Sequence, residues 1–266
     1  MRGFRPARYF ALMAMVWLAG PGPALADDLI PDRRLVLSEN TDLPGGDLTS
    51  IFDTTLEACE RACLTNRACT AFTFNTRNGS CFPKSGAGGP ATYQGAYSGT
   101  VIEGGAAAEA LAVKRAAELT FVGSWEFPGF TAQATNLANA HVTNGYTADE
   151  HLAAAAEAES KGDPLGASRF VGAALNLTDT ASDWLEYARL LNAAGLRDPS
   201  SRRNLQEQAY NAAANAYLRA DGAAQQHTIL VIMAEALEGI DRGRDTVQAL
   251  RLAEKLQHRD DTAAAL

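Results

Sequence analysis

The stretch that decides the fold runs from Asp53 to Lys84 and reads DTTLEACERACLTNRACTAFTFNTRNGSCFPK. It holds all four cysteines of the chain. Two of them, Cys59 and Cys63, are separated by one turn of a helix, so on a helix they lie on one face. Thr54 and Glu57 have the spacing of a capping box, which predicts that Thr54 is the N-cap of this helix.

The residues after this helix predict a β-hairpin. We expect the helix to end at Asn66, because the run 70–74 alternates and is rich in aromatic and β-branched residues, as strands are. Asn78 and Gly79 form a dipeptide that favours a tight hairpin turn, and Cys81 opens the returning strand. The sequence therefore predicts one short helix joined by cysteines to an antiparallel hairpin.

Two further strands are expected on either side of this stretch. The run RRLVLS at 33–38 predicts a first strand that alternates in polarity. The run 93–102 predicts a closing strand, which Gly95 and Gly99 weaken.

Three aromatic residues of the hairpin, Phe72, Phe74 and Phe82, admit two roles. They could line a groove that holds a ligand, or they could fill the core of a small module. The core of the module is the favoured role for these residues.

The cysteines admit more than one interpretation when only their spacing is used. Four cysteines allow three disulfide pairings, and four thiolates can also bind zinc. Their C-x3-C-x5-C-x11-C spacing lacks the C-x2-C pairs that are typical of zinc sites. Disulfides are therefore favoured, and no free thiol remains to act as a nucleophile.

These features together resemble the PAN/apple module over roughly residues 30–101. That family has a helix with two cysteines four apart, a third cysteine just after it, an aromatic strand, and a last cysteine before a lysine-containing strand. The resemblance implies a nested pairing, with disulfides Cys59–Cys81 and Cys63–Cys69. It also implies a helix packed on an antiparallel sheet, and a protein or carbohydrate ligand.

The first residues, 1–26, have the pattern of a secretory signal peptide. Three arginines precede an apolar run at 10–20, and Ala-Leu-Ala at 24–26 is a cleavage site that would leave Asp27 as the first residue. The apolar run is too short to span a bilayer, so we expect no membrane anchor after cleavage. The composition is typical of bacteria, which predicts a periplasmic or secreted protein whose disulfides persist.

The composition changes at Gly104-Gly105, which divides the mature chain into a PAN/apple module at 27–102 and an α-helical region at 103–266. The second region lacks cysteine and is rich in alanine and leucine. Two of its helices align at an offset of 33 residues, close to the period of a tetratricopeptide (TPR) array. A TPR-like array of about three helix pairs is predicted, and an irregular helical domain is the alternative. The aligned residues are Leu152 with Leu185, Ala155 with Ala188, and Gly162 with Gly195.

The helical region contains one ambiguous segment, 123–146, which proline and glycine interrupt and which has room for a helix at 131–141. Glycines are expected to end the first helix of each of the first two pairs. The other predicted helices are 106–121, 149–161, 165–177, 181–194, 201–219, 223–237 and 244–257.

No motif of known chemistry is present in the sequence. It contains no G-x-S-x-G, H-E-x-x-H, P-loop or G-x-G-x-x-G pattern, and its four histidines lack the spacing of metal ligands. The formal net charge of −8 at pH 7 is spread along the chain, which disfavours binding to nucleic acid. We therefore predict no catalytic residue, cofactor or metal site, and a chain that is not an enzyme.

The order of signal peptide, Phe52–Cys63 helix and Ala-rich helices is similar to the N-terminal region of bacterial alpha-2-macroglobulin family proteins. Those proteins are large exported protease traps, whose macroglobulin β-domains and thioester motif are not in this sequence. The resemblance implies an exported recognition protein of a protease-inhibitor system, with proteases as partners through a larger macroglobulin-type protein. The alternative is a stand-alone envelope or adhesion module that is unrelated to protease control.

Overall fold

The computed structural model describes residues 29–140 and 145–264, so the predicted signal peptide lies outside the described residues. A four-stranded antiparallel sheet with one helix comes first, and within the described residues eight helices follow it. This architecture is the predicted one, an α+β module followed by an all-α region. The elements are β1 Arg33–Asp42, α1 Leu56–Thr65, β2 Ala71–Asn75, β3 Ser80–Lys84, β4 Ala91–Glu103, α2 Ala106–Glu118, α3 Phe127–Ala140, α4 Ala148–Ser160, α5 Pro164–Thr178, α6 Ala181–Arg197, α7 Arg202–Arg219, α8 Ala223–Gly239 and α9 Gly243–Ala264.

The strands of the module pair in the order β1-β4-β2-β3, and α1 packs on one face of the sheet. Successive residues of a strand point to opposite faces. Leu35 and Leu37 of β1 and Phe72 and Phe74 of β2 therefore share the face that α1 covers, where they form a buried cluster with the four cysteines. A core of this size is small for an independent domain, so the covalent links contribute much of its stability.

Helix α1 begins one residue later than the sequence predicts. Its N-cap is Thr55, whose hydroxyl accepts a hydrogen bond of 3.3 Å from the backbone N–H of Ala58. The backbone N–H of Thr54 instead donates to the carbonyl oxygen of Gly79 at 3.0 Å. The predicted capping box on Thr54 is wrong because the hairpin turn holds that residue outside the helix. The predicted end at Asn66 is confirmed.

Strand β4 continues through the two glycines that were expected to weaken it. Gly95 has φ of +85° next to an irregularity in the pairing with β1, a conformation that glycine adopts without strain. A Cβ on Gly99 would overlap the ring of Phe72, which is fully buried. The absence of a side chain at Gly99 therefore makes room for the largest residue of the module core.

The helical region contains three successive pairs of packed helices, α4 with α5, α6 with α7, and α8 with α9. Ala155 and Ala188, which the 33-residue offset aligns, are both buried on the first helices of their pairs. Small side chains at these positions allow neighbouring helices to approach closely. The predicted array of about three pairs is confirmed.

The two aligned glycines differ in their roles. Gly162, with φ of +79°, follows the end of α4 as predicted. The predicted helix end at Gly195 is wrong, because α6 continues to Arg197. A Cβ on Gly195 would lie 3.3 Å from the carbonyl oxygen of Arg202 in α7. That glycine therefore serves close packing between the two helices rather than helix termination.

The ambiguous segment contains α3, which begins four residues before the helix that the sequence allows. Pro128 lies in its first turn, where the missing N–H costs no helical hydrogen bond. The helix packs against α5, α7 and β1, so it lies outside the three pairs. Its Phe130 meets the ring of Tyr210 edge-to-face at 5.5 Å, and Asn215 donates to the carbonyl oxygen of Phe130 at 2.9 Å.

The module and the helical region are in contact at β1 and at the residues before it. Leu29 and Ile30 are buried in the core of the helical region. Their backbone N–H groups each donate to the carboxylate of Glu109 in α2 at 3.3 Å. Arg34 on β1 donates to the last carbonyl groups of α5, including that of Asn176. The segment before β1 therefore contributes to the second core.

Candidate functional site

The cysteines form two disulfides that fix α1 to the rest of the module. Cys59 is bonded to Cys81 on β3 with their Cα atoms 5.5 Å apart. Cys63 is bonded to Cys69, in the loop before β2, with their Cα atoms 5.2 Å apart. These are the two pairs that the resemblance implies. In the described part of the chain, no three His, Cys, Asp or Glu side chains are grouped so that they could hold a metal ion.

A groove of about 320 Å³ lies on the face of the sheet opposite α1. Because Phe72 and Phe74 point towards α1, their neighbours Thr73 and Asn75 point into the groove. The strands thus form its floor, and the loop after β1 and the start of β4 form its walls. The residues that line it are Asp42, Pro44, Gly45, Asp47, Thr73, Asn75, Phe82, Lys84, Tyr93 and Ala96.

Hydrogen bonds hold the loop after β1 across the sheet. The hydroxyl of Thr73 accepts the backbone N–H of Leu43 at 3.1 Å and is 2.9 Å from the hydroxyl of Ser98. The backbone N–H of Gly88 donates to the carbonyl oxygen of Pro44 at 2.8 Å. The wall of the groove is therefore fixed by bonds to two separate parts of the module, so the groove is formed before any ligand arrives.

Among the described residues, the one cation that lines the groove is paired with a carboxylate. Lys84 is buried, forms an ion pair with Asp47, and has its Nζ atom 5.9 Å from the centre of the Phe82 ring. Tyr93 is 44% exposed, and the guanidinium of Arg77 lies 5.9 Å from the centre of its ring. The groove thus offers a positioned aromatic ring together with carboxylate, amide and hydroxyl groups.

This combination is suited to a polar ligand that carries hydroxyl groups. The carboxylate of Asp42 supplies oxygen atoms that accept hydrogen bonds, and the amide of Asn75, whose Oδ1 already accepts the backbone N–H of Arg77 at 2.9 Å, supplies a donor. The exposed ring of Tyr93 supplies an apolar surface beside them. A concave site with a few polar groups beside an aromatic surface is the usual form of a small-ligand site.

The sequence identified one of the groove residues and missed the others. Of the three phenylalanines that admit two roles, Phe72 and Phe74 belong to the core, whereas Phe82 lines the groove. Asp42 and Tyr93 were missed because they come from loops and strand ends, whose position depends on the tertiary fold. The period-two alternation around Phe72 could have placed Thr73 on the face that lines the groove.

A comparison with known protein families gives a match in the part of the chain that contains the groove. Residues 41–95 match the PAN domain family, and this range includes every groove residue except Ala96. PAN domains are in general modules that bind protein or carbohydrate. No curated protein and no solved structure is significantly similar to the chain.

A helix that spans a bilayer needs about 20 predominantly apolar residues. No helix in the described residues is both long and apolar enough to cross a bilayer.

Proposed function

We propose that this chain is an exported, non-enzymatic recognition protein whose PAN module binds carbohydrate in the groove opposite α1. The observation that carries the proposal is the exposed ring of Tyr93 at a cavity that Asp42 and Asn75 also line. Sugars combine apolar C–H surfaces with many hydroxyl groups, and this groove offers a counterpart to both. The preformed wall supports the same conclusion, since little ordering is needed on binding.

Carbohydrate is favoured over a protein ligand for the groove because of its shape and charge. A standard protein interface involves about 20–30 residues on each side, whereas the described residues that line this groove number ten. Among the described residues that line the groove, Lys84 is the cation, and it is buried and paired with Asp47, so it is not available to select an acidic peptide.

The test is binding of the full chain to an array of neutral and acidic oligosaccharides. Tyr93→Ala removes the ring and is expected to weaken binding by roughly fivefold to tenfold. Tyr93→Phe keeps the ring and is expected to retain most of the affinity. Phe52→Ala is the control, because Phe52 is 64% exposed on the same module but does not line the groove.

Three outcomes would contradict the proposal. The first is that no oligosaccharide binds, and the second is that the bound one has equal affinity for wild type and Tyr93→Ala. The third is that Phe52→Ala weakens binding as much as Tyr93→Ala, which would place the ligand on the outer edge of the module instead.

Export is supported by the sequence of residues 1–26 and by the two disulfides, which persist in oxidising compartments. The destination is then the periplasm or the medium of a bacterium. Sequencing the N-terminus of protein recovered from those fractions is expected to start at Asp27. A chain that keeps the apolar run at 10–20 would refute this part of the proposal.

We also propose a more specific role for this recognition protein, in protease control. It is supported by the likeness of Phe52–Cys63 to the leader region of bacterial macroglobulins. The groove is compatible with this role and with the alternative, a stand-alone envelope or adhesion module. The genomic sequence after codon 266 distinguishes them. Macroglobulin domains in that frame would favour protease control, and their absence would favour the alternative.

A further inference from the structure

A second cavity, of about 470 Å³, lies in the helical region where α3 meets α6 and α7. Four side-chain amides line it, two from α3 and two from α7, and none of its lining residues is charged. The residues that line it are Gly129, Ala132, Gln133, Asn136, Leu137, Tyr187, Gln208 and Asn211.

Side-chain amides carry a donor and an acceptor in the same arrangement as a peptide bond. One such pairing already exists beside the cavity, where Gln133 donates its Nε2–H to the backbone carbonyl of Gln208 at 3.0 Å. The Oε1 atom of the same Gln133 is buried and has no hydrogen-bond partner within the part of the chain that the structure describes. Asn136 is exposed and Asn211 is half-buried, so both can turn towards a ligand.

The geometry of α3 suits the close approach of an extended chain. Gly129 and Ala132, about one turn apart, present almost no side chain to the cavity. The lining residues of α3 run from Gly129 to Leu137, a distance of about 12 Å along the helix. At about 3.3 Å per residue, that length accommodates about four residues of extended peptide.

A sugar fits this cavity less well than it fits the groove of the module. Of the described residues that line the cavity, the one aromatic residue, Tyr187, is 8% exposed and meets the ring of Trp184 edge-to-face at 6.2 Å. The ring of Tyr187 is therefore not available for stacking, in contrast to that of Tyr93, which is 44% exposed.

We propose that this amide-lined cavity binds an extended, uncharged peptide segment of another protein, about four residues long, through the peptide backbone. The site is distinct from the carbohydrate groove of the module and does not depend on it. The protein would then join two ligands, a glycan at the module and a polypeptide at the helical region.

The experiment selects ligands for the full chain from a phage library of random heptapeptides and measures the affinity of the selected peptides as capped synthetic peptides. The double variant Asn136→Ala and Asn211→Ala is expected to weaken binding roughly tenfold or more, because two amide pairings are lost. Peptides N-methylated at alternate residues are expected to lose binding to wild type. Gln248→Ala is the matched control, an exposed amide on α9 that does not line the cavity, and it is expected to change nothing.

Each contrary result overturns the proposal. Failure to enrich any peptide, or equal affinity of selected peptides for wild type and the double variant, removes the peptide site. Tight binding of the N-methylated peptides excludes recognition through the backbone. An oligosaccharide whose binding the double variant abolishes, and which Tyr93→Ala leaves unchanged, would identify the cavity as a second sugar site.

Discussion

Replacing both Cys59 and Cys81 by serine is expected to lower the free energy of unfolding of the module by about 3 kcal/mol. This disulfide closes a loop with a sequence separation of 22 residues, which limits the freedom of the unfolded chain. It also holds α1 against β3, at the centre of a core made of a few side chains. A module of this size has little stability to lose, so we expect it to unfold in this variant at physiological temperature.

The second disulfide provides a matched comparison. Cys63 and Cys69 are separated by 6 residues, so the same chain-entropy relation gives about 2 kcal/mol for their replacement by serine. The expected order of stability is therefore wild type, then Cys63→Ser with Cys69→Ser, then Cys59→Ser with Cys81→Ser. Equal losses in the two double variants would show that loop length does not set the stability of the module.

The measurement must separate the module from the helical region. The tryptophans of the described residues, Trp125 and Trp184, both belong to the helical part, so urea unfolding followed by tryptophan fluorescence reports that part. Limited proteolysis with mass spectrometry reports cleavage within residues 33–103. We expect the cysteine variants to be cleaved there while the fluorescence transition changes little, because the helical region has no cysteine.

Such a result would also support the proposal that 27–102 and 103–266 fold as separate domains. The burial of Leu29 and Ile30 in the helical core sets one condition on that proposal. A fragment that begins after them would expose part of that core, which is why the variants are compared in the full chain. If the free energy of unfolding obtained from tryptophan fluorescence falls by the same amount as that of the module, the two parts unfold as one cooperative unit.

Much of the fold follows from local sequence patterns. The alternation around Phe72 predicts β2, the Asn78-Gly79 dipeptide predicts the hairpin, and the offset of 33 residues predicts the repeated helix pairs. These patterns succeed because strand and helix periodicity reflect burial on one face. They place most elements within a few residues of their observed ends.

The failures occur where a contact with a different element decides the local structure. Gly195 is a residue type that commonly ends helices, yet its packing against α7 keeps it inside α6. Thr54 has the sequence of an N-cap, yet its hydrogen bond to Gly79 keeps it outside the helix. Arg202 lies on the next helix and Gly79 lies in the hairpin turn, so periodicity and capping rules, which use residues within about one turn, contain no information about either contact.

The candidate sites were harder to predict than the fold for the same reason. The module groove joins Asp42 to Tyr93, two residues that only the antiparallel order of the sheet brings together. The amide-lined cavity depends on α3, which lies in the one segment that the sequence left ambiguous. A family resemblance identifies the module that carries a groove, but not the side chains that line it.

Replacing Arg33 by methionine is expected to destabilise the module by about 3 kcal/mol, although Arg33 belongs to no sequence motif. Its side chain is buried and crosses from β1 to the C-terminal end of α1. The Nη1 group donates to the carbonyl oxygen of Leu64 at 2.5 Å and to that of Asn66 at 3.1 Å, and Nη2 donates to that of Cys69. A positive charge at this position also favours the negative end of the helix dipole.

The methionine variant keeps a long side chain but removes the arginine donors from the carbonyl groups of Leu64 and Cys69, whereas that of Asn66 still accepts the backbone N–H of Cys69 at 2.8 Å. Buried acceptors that lose their partners each cost about 1–3 kcal/mol, which is why a substitution of similar length is expected to have a large effect. The measurement is hydrogen exchange of the full chain with mass spectrometry, in which peptides covering α1 should exchange faster. Peptides from α8 and α9 should be unchanged, because neither helix packs against β1.

Two other arginines of the module, Arg34 and Arg67, provide controls for the Arg33→Met variant. Arg34 points to the other face of β1 and donates to carbonyl groups at the end of α5, so Arg34→Met should accelerate exchange at the end of α5 and spare α1. Arg67→Met removes an exposed ion pair with Asp32, which should cost less than about 1 kcal/mol. If Arg33→Met leaves exchange of α1 at the wild-type rate, the carbonyl groups find other donors, and the buried guanidinium is not what holds the helix to the sheet.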